Sequence, residues 1–262
     1  MLFPLIHQLI YIEKELKTRF NLMQSIRLDQ KLVSLGLVRS RSQALSYIKL
    51  GYVKVNNEIV LKPGYLVNNY QVIELLIENQ YVGRAALKLE SADKHFKINF
   101  KDKTVLDVGS STGGFTDFAI RNGAKKVLAV DVGTDQLDPR LRFNEKVEVY
   151  EKTDIREFNT NYEIDIILID VSFISFRKIA TSIYNLSSKN TLIYLMAKPQ
   201  FETTKNNLNS AGVIKNSQIR RQIFKDLEQE FKTSFKILKK IDSDVPGKKG
   251  NLEKFYFLKK NL

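Results

Sequence analysis

The stretch Thr104–Asp117, TVLDVGSSTGGFTD, constrains the fold more than any other part of this 262-residue chain. A buried-strand run of Val105, Leu106 and Val108 carries Asp107 and breaks into a loop with Gly109, Gly113 and Gly114. Glycine turns without a Cβ clash and lets the backbone approach a ligand closely. A helix is expected from about Phe115. A strand, a glycine loop and a helix in this order make a nucleotide-type site in an α/β sheet. The spacing G-x-x-x-G-G departs from the G-x-G-x-x-G of dinucleotide sites. Strand-like and helical runs then alternate. Strands are expected at 104–109, 126–131, 146–150, 165–170 and 191–197, a helix at about 216–231, and closing strands near 235–241 and 254–259. Such alternation implies an α/β fold, an open and mainly parallel sheet with helices on both faces. Ligands then bind at the carboxyl ends of the strands.

The acidic residues at those ends follow from the same logic. Asp131 ends the second strand, about twenty residues beyond the glycine loop, where a carboxylate suits a ribose diol. Asp154 follows the third strand and Asp170 the fourth. Any one of them could be a loop cap or a surface carboxylate. Three at successive strand ends after one glycine loop point to a site. An acidic strand end followed by G-x-x-x-G resembles the first motif of S-adenosylmethionine-dependent methyltransferases. That resemblance implies S-adenosylmethionine as cofactor, held by Asp107, Gly109, Ser110, Gly113, Gly114, Phe115, Asp131, Asp154 and Asp170, with Asp154 near the adenine.

The segment ahead of this domain is built differently. Leu28, Leu32 and Leu35 mark a short helix ended by Gly36. Ser40 can cap a second helix running to Gly51. Val53 and Val55, the pair Asn56-Asn57, then Ile59 and Leu61 read as a small hairpin. Between Arg27 and Lys62 lie seven basic and two acidic residues. Two short helices and a hairpin with R-L-D, V-R-S-R-S-Q-A and I-K-x-G-x-V-x-V-N resemble the alpha-L RNA-binding motif. In that family the basic helix face and hairpin contact folded RNA. The residues so implicated are Arg27, Lys31, Arg39, Arg41, Lys49 and Lys54, which would neutralise phosphates and give affinity without reading sequence. The boundaries expected are an extension over 1–26, the small α+β domain at 27–78, a polar linker at 79–83 and the large domain from 84 onward. An apolar strand is expected at 72–77.

Four ionisable residues complete a second pattern. They are Lys88 in GRAALKL, Asp170 in LIDVSFIS, Lys198 in KPQFE and Glu253 in GNLEKF. The set resembles the catalytic tetrad of heat-shock-type ribosomal RNA 2′-O-ribose methyltransferases. Together with RLDQKLV and DVGSSTGGFTD it resembles the haemolysin-A, TlyA-type rRNA cytidine-2′-O-methyltransferases. That family implies a Rossmann-like class I methyltransferase with a seven-stranded sheet, a ribosomal RNA or ribosomal subunit partner, and cytidine as the target. Ala85-Ala86 stand where the family usually carries a glycine pair. A ribose hydroxyl is a feeble nucleophile that must lose a proton as it attacks. A free lysine, with a pKa of about 10.4, is no base at neutral pH, so a neighbouring cation such as Lys88 or partial desolvation is expected to activate Lys198. Asp170 would assist and Glu253 would orient the lysine or the hydroxyl.

Composition sharpens these expectations. Lys and Arg number 42 against 29 Asp and Glu, a net charge of +13, which suits a polyanionic partner. There is no cysteine, which excludes disulfides and thiolate chemistry. His7 and His95 are far apart in sequence, so no metal site is expected, and His95 reads as a surface residue near a helix end. No apolar run approaches the roughly 18–20 residues of a membrane span. The first twenty residues fit either an amphipathic helix, with Leu5, Leu9, Ile12 and Leu16 near helical spacing, or an extension ahead of an internal start at Met23. A cytoplasmic monomer is expected. Two rival readings remain, a membrane-lytic haemolysin drawn by charge to anionic lipid, and a non-catalytic RNA-binding assembly factor.

Overall fold

The computed structural model describes residues 25–38, 40–76, 81–245, 247 and 250–261. They fall into two compact units divided between Gln80 and Tyr81. In the first, helices α1 (Leu28–Ser34) and α2 (Arg41–Lys49) pack together, with Leu28, Leu32, Ala44, Tyr47 and Ile48 fully buried. Ser40 caps α2, its Oγ accepting from Gln43 N. Strands β2 (Val53–Val55) and β3 (Glu58–Ile59) form the hairpin. Asn56 and Asn57 turn it at φ 49° and 68°, the left-handed pair that matches strand twist. Two pairings were not legible in the sequence. The short strand β1 (Ile26–Arg27) pairs with β4 (Leu66–Val67), and β5 (Ile73–Leu75) joins the free edge of β2. Both are long-range, and periodicity carries no information on partners. Strand β5 is shorter than the run at 72–77. Ile77, Arg39 and the expected helix within 1–24 lie outside the described residues.

The second unit begins before the expected boundary. Val82 N donates to Asp117 Oδ2 at 2.9 Å, and the Arg121 guanidinium lies 4.8 Å from the Tyr81 ring centroid. Tyr81–Gly83 therefore belong to this unit and not to a linker. Helix α3 (Arg84–Phe96) leads to β6 (Thr104–Val108), α4 (Gly114–Arg121), β7 (Lys126–Val130), the single turn α5 (Pro139–Arg142) and β8 (Val147–Tyr150). The chain continues through β9 (Ile166–Ile169), α6 (Ala180–Leu186), β10 (Leu192–Ala197), α7 (Ser217–Ser234), β11 (Phe235–Asp242) and β12 (Lys254–Lys260). The sheet has seven strands in the order β11-β12-β10-β9-β6-β7-β8. Strands β6 to β10 run parallel, and β12 is antiparallel to both its neighbours.

Strand alternation divides the core between the two faces. Leu106, Val108, Ile167, Ile169, Ile193 and Leu195 pack on one face with Ile183, Phe224, Leu227 and Phe231. Val105, Ile166, Leu168, Tyr194 and Met196 pack on the other with Leu89, Ala92, Phe115 and Phe118. The chain leaves β6 toward β7 and β8 and returns on its other side as β9. The carboxyl ends of β6 and β9 thus flank the switch point where a sheet of this kind opens a crevice.

Candidate active site

The glycine loop shapes that crevice differently from the sequence expectation. Gly109 (φ 82°) ends β6, and a Cβ there would stand 2.9 Å from the Asp170 carbonyl oxygen and 3.2 Å from Val171 Cα. Its bareness lets the ends of β6 and β9 meet. A Cβ on Gly113 (φ 92°) would strike the Leu137 and Leu141 side chains, and one on Gly114 would strike Ala85 and the Ala86 nitrogen of α3. These two glycines make room for the protein's own packing, where ligand approach was expected. Ser110 is buried, and Phe115 sits in the core with its ring stacked on Phe255.

Asp107 is also withdrawn from the crevice. Period-two alternation turns its side chain beneath α4, away from Leu106 and Val108. It is fully buried, and its Oδ2 accepts from Thr116 Oγ1 at 2.6 Å while Oδ1 has no partner. Burial pushes its carboxyl up to about 7, against the Thr116 hydrogen bond and with a contribution from the Asp170 and Asp131 charges. The folded state therefore holds a proton that the unfolded chain has released between roughly pH 4 and 7. Stability from this group is full below that window and lost as pH rises through it. Asp107→Asn is expected to flatten the unfolding free energy over the window, measured by urea titration at several pH values. An unchanged pH slope would show that Asp107 is ionised throughout.

A cavity of about 510 Å³ runs along the strand ends, lined among others by Gly109, Ser111, Asp131, Gly133, Gln136, Asp154 and Asp170. Asp131 is held rigidly, with Oδ2 accepting from Ser111 N at 2.8 Å and Oδ1 from Gly133 N at 2.7 Å. Asp154 lines the cavity, but Arg156 grips both its oxygens through Nε at 3.0 Å and Nη2 at 2.6 Å. Those bonds hold its carboxyl below the usual range and fix its direction, with Oδ2 accepting one bond among the described residues. Ser111 and Gln136, which the sequence reading missed, are joined by a 3.1 Å hydrogen bond at the rim. The signal available for them was only their nearness to Gly113 and Asp131.

A second cavity of about 870 Å³ shares Ser111, Asp170, Ser172 and Phe173 with the first. All four residues of the tetrad line it, from α3, the ends of β9 and β10, and the entry to β12. They form two pairs. Lys198 Nζ lies 2.6 Å from Asp170 Oδ1 and donates to Ser172 Oγ at 2.7 Å. Lys88 Nζ pairs with Glu253 Oε2, both side chains almost fully buried. Gly247 packs so closely on Glu253 that a Cβ there would stand 2.7 Å from Oε1. Arg84 and Gln200 also line this cavity and were not singled out in the sequence. Burial lowers the Arg84 guanidinium's pKa, opposed by the Glu253 and Asp170 carboxylates. Phe173 is 93% exposed at φ 66°, its ring centroid 5.3 Å from that of Phe201.

The basic residues of the small unit divide into two groups. Arg27 and Arg41 both close on Asp29, at 2.9 Å each, and Asp29 is only 3% exposed. Burial alone would raise that carboxyl, but the hydrogen bonds from Arg27 and Arg41 outweigh it and hold it low. Lys31 Nζ donates to Asn69 Oδ1 at 2.7 Å. Lys49 is exposed, and neither it nor Lys54 makes an ion pair among the described residues. The two arginines thus brace the fold as well as carrying charge. Asp29→Ala would leave them facing each other unneutralised and is expected to cost about 2 kcal/mol. Amide exchange in α1 and α2 would report it. The contribution lies above about pH 4 and fades as pH falls through the lowered folded pKa.

Comparisons with known proteins agree with this architecture. Residues 81–261 match the family model described as FtsJ-like methyltransferase, and residues 26–69 match the S4 domain. Hemolysin A of Brachyspira hyodysenteriae is 37% identical over 87% of this chain and 97% of its own. The 23S rRNA (cytidine-2′-O)-methyltransferase TlyA of Campylobacter jejuni is 41% identical over 71% of this chain and 74% of its own. The solved structure of a protein described as a putative hemolysin from Streptococcus thermophilus superposes with a TM-score of 0.68 at 31% identity, covering 90% of this chain and 89% of that one. No helix among the described residues is long and apolar enough to cross a membrane.

Proposed function

Because the chain belongs to the FtsJ-like methyltransferase family and carries an S4 domain before its catalytic unit, we propose that it methylates ribosomal RNA on a ribose 2′-oxygen, with S-adenosylmethionine as donor and cytidine as the nucleoside. The observation that carries this reading is the meeting of the two cavities at Asp170, with both lysine–carboxylate pairs on the wall of the second. The first cavity fits the cofactor. It lies at the strand-end switch point, and Asp131 is aimed there by two backbone N–H groups for a ribose diol. Its sulfonium supplies a methyl group already activated for transfer, so the protein need not supply an electrophile.

What the chain's own residues contribute is position and proton management. Lys198 is assigned to the 2′-hydroxyl: once its ammonium has released a proton to solvent, the neutral amine takes the hydroxyl proton as the oxygen attacks, and Lys88, expected to be the activating cation, is instead paired with Glu253. Asp170 and Ser172 hold Lys198 Nζ from two directions, which fixes the line of approach. Lys88 and Gly247 fix Glu253, whose carboxylate orients the hydroxyl or the lysine. Holding the reactants in line accounts for much of the acceleration expected of such a site. Phe173 presents an aromatic face on which an unstacked base can lie. Lys49 and Lys54 stand ready for phosphates.

The direct test is incubation of the protein with labelled S-adenosylmethionine and ribosomal subunits or their RNA, followed by mass-spectrometric mapping of ribose-methylated nucleotides. A labelled 2′-O-methylcytidine is the expected product. Label on a base atom, or none on any ribosomal substrate, overturns the assignment. The lytic alternative draws on the name of the Brachyspira relative and on the basic charge. Liposome leakage that persists in Lys198→Ala would favour it.

A further inference from the structure

The motif KPQFE holds, besides Lys198, a carboxylate that the proposed reaction does not use. Glu202 is 6% exposed and does not line the tetrad cavity. It follows the 3-10 turn Pro199–Phe201 at the end of β10. Its oxygens reach across to the chain leaving β9. Oε1 accepts from Phe176 N at 2.8 Å, and Oε2 accepts from Ser175 Oγ. Arg177 Nη1 donates to the Glu202 carbonyl at 2.9 Å, and Arg177 Nε pairs with Glu230 of α7 at 2.7 Å.

A carboxylate buried to this degree is costly to desolvate, and the cost is offset only if its hydrogen bonds are kept. Burial indeed raises the Glu202 carboxyl, opposed first by Ser175 and then by Phe176. The bonds of the Glu202 carboxylate join the loop after β9 to the turn after β10, and Arg177 ties the first of these on to α7. The loop after β9 carries Asp170, Ser172 and Phe173, and the turn after β10 carries Lys198, Gln200 and Phe201. The loops also touch through the Arg177 bond to the Glu202 carbonyl, and through the Lys198 contacts and the Phe173–Phe201 ring pair, the last two being groups the reaction needs in fixed relation.

We propose that Glu202 is a positioning residue for methyl transfer, a buried latch that ties the Asp170–Ser175 loop to the Lys198–Phe201 turn and so holds Lys198 in register with Asp170. The catalytic part rests on the methyltransferase reading above, whereas the latch itself is tested without turnover. A misplacement of about 1 Å at a reacting group can lower a rate about 100-fold, and that is the loss of kcat expected in Glu202→Ala. Affinity for S-adenosylhomocysteine should be unchanged, since Glu202 lies outside the first cavity. Glu202→Gln keeps an acceptor for Phe176 N and a polar partner for Ser175, and should recover most of the rate.

The measurement independent of activity is amide hydrogen exchange on the full chain. Glu202→Ala, and separately the milder Ser175→Ala, should speed exchange in residues 171–178 and 199–204 together, leaving β6 and β7 protected as in the parent. Faster exchange throughout the sheet, or in one loop alone, would overturn the latch. A Glu202→Ala enzyme within about twofold of the parental kcat would do so equally. Absence of product from the parent on every ribosomal RNA substrate would instead remove the methyltransferase reading, and the exchange data would still decide the latch.

Discussion

Lys198→Ala is expected to lower methyl transfer by about a thousandfold, the range removed when a positioned proton acceptor is lost. Binding of S-adenosylhomocysteine, measured by calorimetry, should persist, because Lys198 lines the second cavity and not the first. The informative companion is Lys198→Arg. An arginine can preserve charge and length near Asp170, but its guanidinium cannot give up its proton in a protein. If Lys198 acts by taking the hydroxyl proton, Lys198→Arg is as inactive as Lys198→Ala. Activity recovered in the arginine variant would show that the position supplies positive charge to the oxygen, and the base would have to be sought elsewhere. Asp170→Asn should lower kcat as well, because it weakens the group that holds Nζ at 2.6 Å.

The second large effect concerns stability. Lys88 and Glu253 side chains are 7% and 3% exposed and pair with each other across 165 positions of sequence. Removing one partner of such a pair strands the other charge in a poorly solvated site, at a cost of about 3–5 kcal/mol. In a unit of this size each kcal/mol moves the melting temperature by about 2–4 °C. Lys88→Ala and Glu253→Ala are therefore each expected to melt some 10 °C or so below the parent. The double variant Lys88→Met/Glu253→Leu should recover much of that loss, since it buries no unpaired charge. All three variants should be inactive. Single variants as stable as the parent would mean that water reaches the pair. A stable, active double variant would remove both residues from the reaction.

The contrast between these experiments has a structural basis. Lys198 and Asp170 sit where two strand ends open to the crevice, so their loss removes chemistry more than packing. Lys88 and Glu253 bridge α3 and the start of β12, so their loss removes both. The Glu202 latch is a third type of contribution. It lies one layer behind the cavity wall and acts through the loops it joins.

Much of this was legible in the residue order. The strand–loop–helix signature at Thr104–Asp117, the alternation beyond it, the cap at Ser40 and the turn at Asn56-Asn57 are local, and local backbone chemistry determines them. A mainly parallel sheet follows because successive buried strands joined by crossovers have few allowed topologies, although among the described residues no helix separates β8 from β9. The tetrad could be named from its motifs only because they resemble those of the heat-shock-type ribosomal RNA methyltransferases.

What only the tertiary structure decided is which way side chains face and what they spend their bonds on. Asp107, one position from the cavity wall, is turned under α4 by strand alternation. Gly113 and Gly114 meet Leu141 and Ala85 where a ligand was expected. Arg27 and Arg41 converge on Asp29, and Arg156 pairs with Asp154. Glu202 reaches Ser175 from twenty-seven positions away. Residue type and spacing determine the elements because backbone hydrogen bonding and hydrophobic period act within a few residues. Pairing of charges depends on approaches between distant segments, and those distances exist only once the chain has packed.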